Sequence, residues 1–128
     1  MKRDFEFKLA EWYARQYFYL GTPNGCVNQC RRVSQGFVDT IRPLVRRRRS
    51  IPLPQTVEVT GCRRKFPRRH LWHRRNPKHS RYHIMIIWQG VVIDFTRRQY
   101  DPRARFPHYE TLEKTRRDWR TVKIERRK

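Results

Sequence analysis

Two short apolar runs separated by Gln89-Gly90 constrain this chain more than any other stretch: 82–88 reads Tyr-His-Ile-Met-Ile-Ile-Trp and 91–96 reads Val-Val-Ile-Asp-Phe-Thr. A pair of residues ending in glycine between β-prone runs predicts a tight hairpin. Such a loop sets Trp88 opposite Val91. Because side chains alternate along a strand, one face then carries Ile84, Ile86, Trp88, Val91, Ile93 and Phe95, all apolar. The other carries His83, Met85, Ile87, Val92, Asp94 and Thr96. His83 and Asp94 thus share a face as diagonal neighbours on adjacent strands, within reach of each other. A one-residue slip would part them and spoil the apolar face, so the pattern itself selects the register. Both faces carry apolar side chains, and each needs a cover.

Two helical patterns upstream supply candidates. Asp4 is suited to an N-cap, and Phe5, Leu9, Trp12, Tyr13, Gln16 and Tyr17 follow at helical spacing, with Gly21 and Pro23 ending the run. The simplest role for this aromatic stripe is core. After a turn at 22–25, Cys26, Cys30, Val33, Phe37, Ile41 and Leu44 recur every three or four residues. They predict an amphipathic helix whose buried face begins at Cys26, with Pro43 implying a kink or early stop.

Laid over the His83 face, that helix brings Cys26 to His83. A thiol in the first turn gains acidity from the helix dipole and from a nearby imidazolium. Cys26 then reads as nucleophile, with its backbone N–H contributing to an oxyanion hole. His83 serves as general base and later acid, and Asp94 as the group that orients it. Cys30, one turn further on, shares the face and is the competing nucleophile. The dipole favours Cys26 and leaves Cys30 to packing.

Between helix and hairpin lies a basic stretch, 46–81, read as an insert or loop. Arg46, Arg47, Arg48 and Arg49 are consecutive, a Pro-rich extended linker follows, and 57–59 has the makings of a short strand. Arg63, Arg64, Arg68, Arg69, Arg74 and Arg75 interleave with Phe66 and Trp72, a combination suited to phosphates and to base stacking or to an acidic partner. Cys62, His70, His73 and His79 do not have the spacing of a standard zinc site, so neither metal nor cofactor is expected. After the hairpin, 97–107 is polar and irregular. A short helix is predicted around 111–119 and a strand at 122–124.

With 128 residues the chain is expected to form one domain, 1–128, of α+β class, with N-terminal helices packed on a small antiparallel sheet. Apolar residues are only 37% of it, and the 13% aromatic share compensates because each ring buries a large area. Thirty-two Lys and Arg against eleven acids give +21, a field that favours RNA, DNA or an acidic protein surface. Three cysteines, an odd number, do not make a secreted disulfide framework. No signal peptide or membrane span is expected, which points to a cytoplasm, the producing cell's or a target cell's.

Asn24-Gly25-Cys26 opening a helix, the His-led strand 83–87 and the run Gly90-Val91-Val92-Ile93-Asp94-Phe95-Thr96 resemble papain-like fold peptidase domains of bacterial polymorphic toxins and small phage proteins. The stretch 94–100 is similar to their Asp-aromatic-Thr-x-x-Gln-aromatic segment. The resemblance implies a papain-like core and a Cys-His-Asp triad acting on a protein amide, as peptidase, deamidase or transglutaminase. Asn24 and Gln99 are candidates for the second oxyanion donor. The alternative reading is a non-enzymatic, basic nucleic-acid-binding or phage structural protein on the same scaffold.

Overall fold

The hairpin forms in the register that its alternation demands. In the computed structural model, which describes residues 4–22, 25, 29–46, 50–63 and 82–125, β2 (Tyr82–Trp88) and β3 (Val91–Asp94) pair antiparallel with Trp88 opposite Val91 and Ile86 opposite Ile93. Gln89 and Gly90 both have positive φ, 51° and 79°. This is the geometry a two-residue loop needs to match the strand twist.

Around this hairpin the chain is α+β: among the described residues it forms three α-helices and a five-stranded antiparallel sheet. The remaining elements are α1 (Asp4–Gln16), α2 (Cys30–Arg46), β1 (Gln55–Cys62), β4 (His108–Thr111), α3 (Leu112–Asp118) and β5 (Trp119–Ile124). The strand order is β4-β3-β2-β1-β5, so the hairpin lies at the centre. Among the described residues no helix is long and apolar enough to cross a membrane.

The two sheet faces have different covers. Ile86, Trp88, Val91, Ile93 and Phe95 pack against Val33, Phe37, Val38, Ile41 and Val45 of α2 and Ala10, Tyr13 and Ala14 of α1. On the other face, Val57, Val59, Met85, Ile87 and Val92 gather with Trp119, and Leu112 and Val122 pack against them. The expectation that the cysteine helix covers the His83 face is therefore corrected. Both faces are apolar enough to need a cover, and the Val33-Phe37-Ile41 stripe matches the wholly apolar one.

The basic stretch 46–81 includes the strand expected at 57–59, in a longer form. It contains β1, an eight-residue strand paired with β2 on one side and β5 on the other. Val57 and Val59 point into the core and make it integral to the sheet. Residues 64–81 lie outside the described part. Pro43 does not end α2, which continues to Arg46. In α1 Tyr13 is buried but Trp12 is exposed, so only part of the aromatic stripe is core. The C-terminal helix is capped by Thr111, whose hydroxyl accepts from the Lys114 N–H at 3.1 Å. The last strand is longer than predicted because it pairs with β1 from Cys62–Trp119 through Val57–Ile124.

Candidate active site

The β2–β3 ladder ends at Ile86–Ile93. Beyond it β3 pairs on with β4 through Asp94, then leaves through a 3₁₀ turn, Arg97–Gln99. Ile84 therefore has β1 on one side and no β3 partner on the other. The first turn of α2 takes that place. Ser34 Oγ donates to the Ile84 carbonyl at 3.2 Å, and the Ile84 backbone helps to lower the pKa of the nearby Cys30 thiol. A helix that packs on the apolar face thus delivers its first side chain to the imidazole at a split in the sheet.

Among the described residues, the thiol beside His83 is that of Cys30. This residue opens α2, where the Val33 N–H bonds back to the Gln29 carbonyl at 3.0 Å. The dipole argument made for Cys26 applies here to Cys30, because α2 begins at Cys30. Cys26 and the oxyanion candidate Asn24 lie outside the described residues.

His83 Nε2 bonds Asp94 Oδ2 at 2.8 Å, with both side chains fully buried. The other ring nitrogen, Nδ1, meets no partner of ordinary hydrogen-bond geometry among the described residues. It is the nitrogen left for the thiol, which lies close enough for thiol and imidazole to shift each other's acidity. The ring is fixed from two sides: Trp119 stacks on it at 6.0 Å and 19°, and Tyr100 meets it edge-on at 5.1 Å. His83 is 0% exposed and Asp94 1%, against 8% for Cys30. Of the three, Cys30 is the least enclosed.

Asp94 accepts at both oxygens. Oδ1 takes the Thr96 N–H at 2.9 Å, and Oδ2 takes Arg97 Nε at 3.0 Å as well as His83. Arg97 reaches on to Glu110, which also meets His108 at 3.1 Å and Thr115 Oγ at 2.7 Å. The result is a buried string of alternating charge that runs from the thiol through His83, Asp94 and Arg97 to Glu110.

Acidities follow from this string. Burial pushes the His83 pKa down, but the charge and hydrogen bond of Asp94, with Cys30 adding, raise it to about 9. Burial pushes Cys30 up, yet the hydrogen bond and charge of His83 and the Ile84 backbone bring it below an ordinary thiol. Asp94 is held well below the usual carboxylate range against its burial, chiefly by His83 and Arg97. All three shifts favour a thiolate–imidazolium pair beside a fixed carboxylate.

Of the other sequence candidates, Gln99 is buried in the turn just after Asp94. Arg46 and Arg63 are exposed on α2 and just after β1. Arg47, Arg48, Arg49, Arg64, Arg68, Arg69, Trp72, Arg74 and Arg75 lie outside the described residues. Among those described, no cluster of three His, Cys, Asp or Glu has the arrangement to hold a metal ion. Arg97, Tyr100, Glu110 and Trp119 were not anticipated from the sequence. The available signal was a cation three residues after a strand-borne aspartate, facing a His-Tyr-Glu-Thr alternation at 108–111. Comparison with protein-family models, with curated proteins and with solved structures finds no match to this chain.

Proposed function

We propose that this chain is a cysteine-nucleophile amidase of papain-like type in which Cys30, His83 and Asp94 are the catalytic group. The observation that carries the reading is the His83–Asp94 bond at 2.8 Å with the Cys30 thiol at the remaining face of the same imidazole. The Cys30 thiolate attacks the carbonyl carbon of a protein amide. The imidazolium gives its proton to the departing amine, which leaves a thioester. Water, deprotonated by His83, then releases the acid, and an amine in place of water gives a crosslink. The backbone N–H at the start of α2 is the natural donor to the oxyanion. Peptidase, deamidase and transglutaminase chemistry share these steps and differ only in the amide and acceptor admitted.

Competitive alkylation with iodoacetamide at pH 7, read by peptide mass spectrometry, tests the nucleophile. Cys30 is expected to react well ahead of Cys62. His83→Ala should slow it roughly tenfold or more, because an ordinary thiol is only a few per cent thiolate at that pH. Preferential labelling of Cys26, unchanged in Cys30→Ala, would return the role to Cys26, and equal slow labelling of all three cysteines would remove the reading. Treating target-cell lysate with wild type and Cys30→Ala then identifies the reaction as cleavage, a gain of about 1 Da, or a crosslink.

A second reading rests on the net charge of +21 and on exposed Arg116, Arg117 and Arg120 near the β5 edge. It takes the protein as a non-enzymatic binder of RNA or DNA. Binding that persists in Cys30→Ala and weakens steeply with salt supports it. No binding at low salt removes it.

A further inference from the structure

Asp94 does not face His83 alone, and the arrangement behind it is costly. Arg97 and Glu110 are both buried. Burying a guanidinium and a carboxylate carries a desolvation penalty that mutual attraction repays only in good geometry. The other face of the same sheet gathers a large cluster of hydrophobic side chains. A charge pair that served packing alone would be replaceable by apolar side chains at little loss.

We propose that Arg97 and Glu110 are positioning residues for the Cys30–His83–Asp94 site, with Arg97 clamping the Asp94 carboxylate and Glu110 cancelling the charge that the clamp brings. This rests on the proposed cysteine chemistry and specifies how its ionisation is set. Arg97 Nε and His83 Nε2 bond the same oxygen, Asp94 Oδ2, at 3.0 and 2.8 Å. Thr96 N–H holds Oδ1 at 2.9 Å, so the carboxylate cannot turn away. A bare Arg97 would oppose a positive imidazole by like-charge repulsion and by drawing on the same anion. Glu110, bonded to the far side of that guanidinium, removes most of this opposition, and Thr115 and His108 fix it there.

The other groups acting on this string come from several elements. Cys30 from α2 acts on His83 directly. Asp118 of α3 adds negative charge near Arg97, and His108 of β4 adds to the field at Asp94. Tyr100, with Cys62 of β1 near it, stays protonated in the relevant range, since burial and the surrounding anions push it well up.

The test reads ionisation and does not depend on turnover. The rate of Cys30 alkylation is followed from pH 4 to 10 in folded wild type and variants, with far-UV circular dichroism as the fold check. The low-pH limb reports formation of the thiolate–imidazolium pair and the high-pH limb its loss. Glu110→Gln leaves Arg97 uncompensated, and the added positive charge favours the deprotonated form of thiol and imidazolium alike, so both limbs should move to lower pH by about half a unit to one unit, the imidazolium limb further. Arg97→Gln leaves Glu110 uncompensated and should move both limbs to higher pH. Thr115→Val, which removes a hydrogen bond but no charge, should lower stability and leave both limbs in place.

Opposite displacements in the two charge variants are the expected result, because a merely structural role moves neither limb in a sign-dependent way. Limbs unchanged in both, with the fold intact, overturn the inference. Should Glu110→Gln not fold, Glu110→Asp keeps the charge count and draws the carboxylate back from Arg97. It should move both limbs to lower pH by a smaller amount, and an unchanged profile again overturns the inference. A wild type lacking the low-pH limb refutes the cysteine reading itself; a wild type that has it, with unresponsive variants, refutes only the roles of Arg97 and Glu110.

Discussion

The two faces of the central hairpin come from the same residues in alternation, yet they are built on opposite principles. Toward α1 and α2, Ile86, Trp88, Ile93 and Phe95 join a cluster of apolar and aromatic side chains that includes Phe37 and Tyr13 at ring distances near 5 Å. On the opposite face, His83, Asp94, Arg97 and Glu110 are equally buried but linked by ionic hydrogen bonds. Apolar burial stabilises by about 25 cal/mol per Å² whatever the partner, and one side chain is exchangeable for another of similar volume. A buried ionic string has no such tolerance, because every member removed strands its neighbour. The difference separates the face that holds the fold from the face on which we propose the chemistry.

The largest break in that comparison comes from adjacent residues on opposite faces. Asp94→Ala leaves His83 and Arg97 facing a hole where their shared acceptor was, and is expected to cost about 3–5 kcal/mol. Ile93→Val removes one methylene from the other face, at about 0.5–1.5 kcal/mol. Urea denaturation of both variants measures the gap. Alkylation of Cys30 should slow only in the first. Equal losses would mean that the ionic face is packing and nothing more.

A second test separates the two protons of the proposed pair by pH. An imidazole whose pKa is higher in the folded chain stabilises fully below its unfolded value, about 6.5, and loses that contribution as pH rises through its folded value, about 9. The thiol works in the other direction. Its lowered folded pKa gives stability that is present above the unfolded value, about 8.5, and lost as pH falls through the folded one. In wild type the proton gained on His83 offsets the proton lost from Cys30, so stability should be level between about pH 6.5 and 8.5. In Cys30→Ala the imidazole acts alone, and stability should fall across that window. A variant as level as wild type would show that His83 is neutral in the fold.

How much of this was legible beforehand follows the range of the interactions. The hairpin register, and with it the shared face of His83 and Asp94, rests on a period of two and a two-residue loop, both local. That Cys30 stands beside the imidazole was not legible, because Cys26 and Cys30 lie one turn apart on one stripe. The start of α2 at Cys30 and the end of the ladder beyond Ile86 bring Cys30 there. The face chosen by α2 was hidden for a related reason: both faces of the hairpin are apolar, and periodicity does not say which one a helix prefers. β1 announced itself only as Val57 and Val59, since its other side chains are polar and half-exposed. Arg97 and Glu110 escaped because β4 is four residues long with one of them buried, too short for a pattern. In a chain with this many arginines, the buried one does not stand out.

The smallest expected effect uses a pair that resembles Arg97–Glu110 in composition and differs in setting. Lys114 Nζ lies 3.3 Å from Asp118 Oδ2, one turn apart on α3, with the lysine side chain 41% exposed. An exposed pair of this kind is screened by water and salt and pays the entropy of holding a long side chain in place, so it contributes about 0.3–0.5 kcal/mol. Lys114→Ala should therefore change stability by no more than that, with the difference fading at high salt. It should leave both limbs of the Cys30 alkylation profile where they are, because Asp118 reaches the site only through its effect on Arg97. A displacement as large as that of Glu110→Gln would show that any carboxylate near Arg97 sets the pair, and would spread the positioning role from one buried residue to the whole acidic surround of the guanidinium.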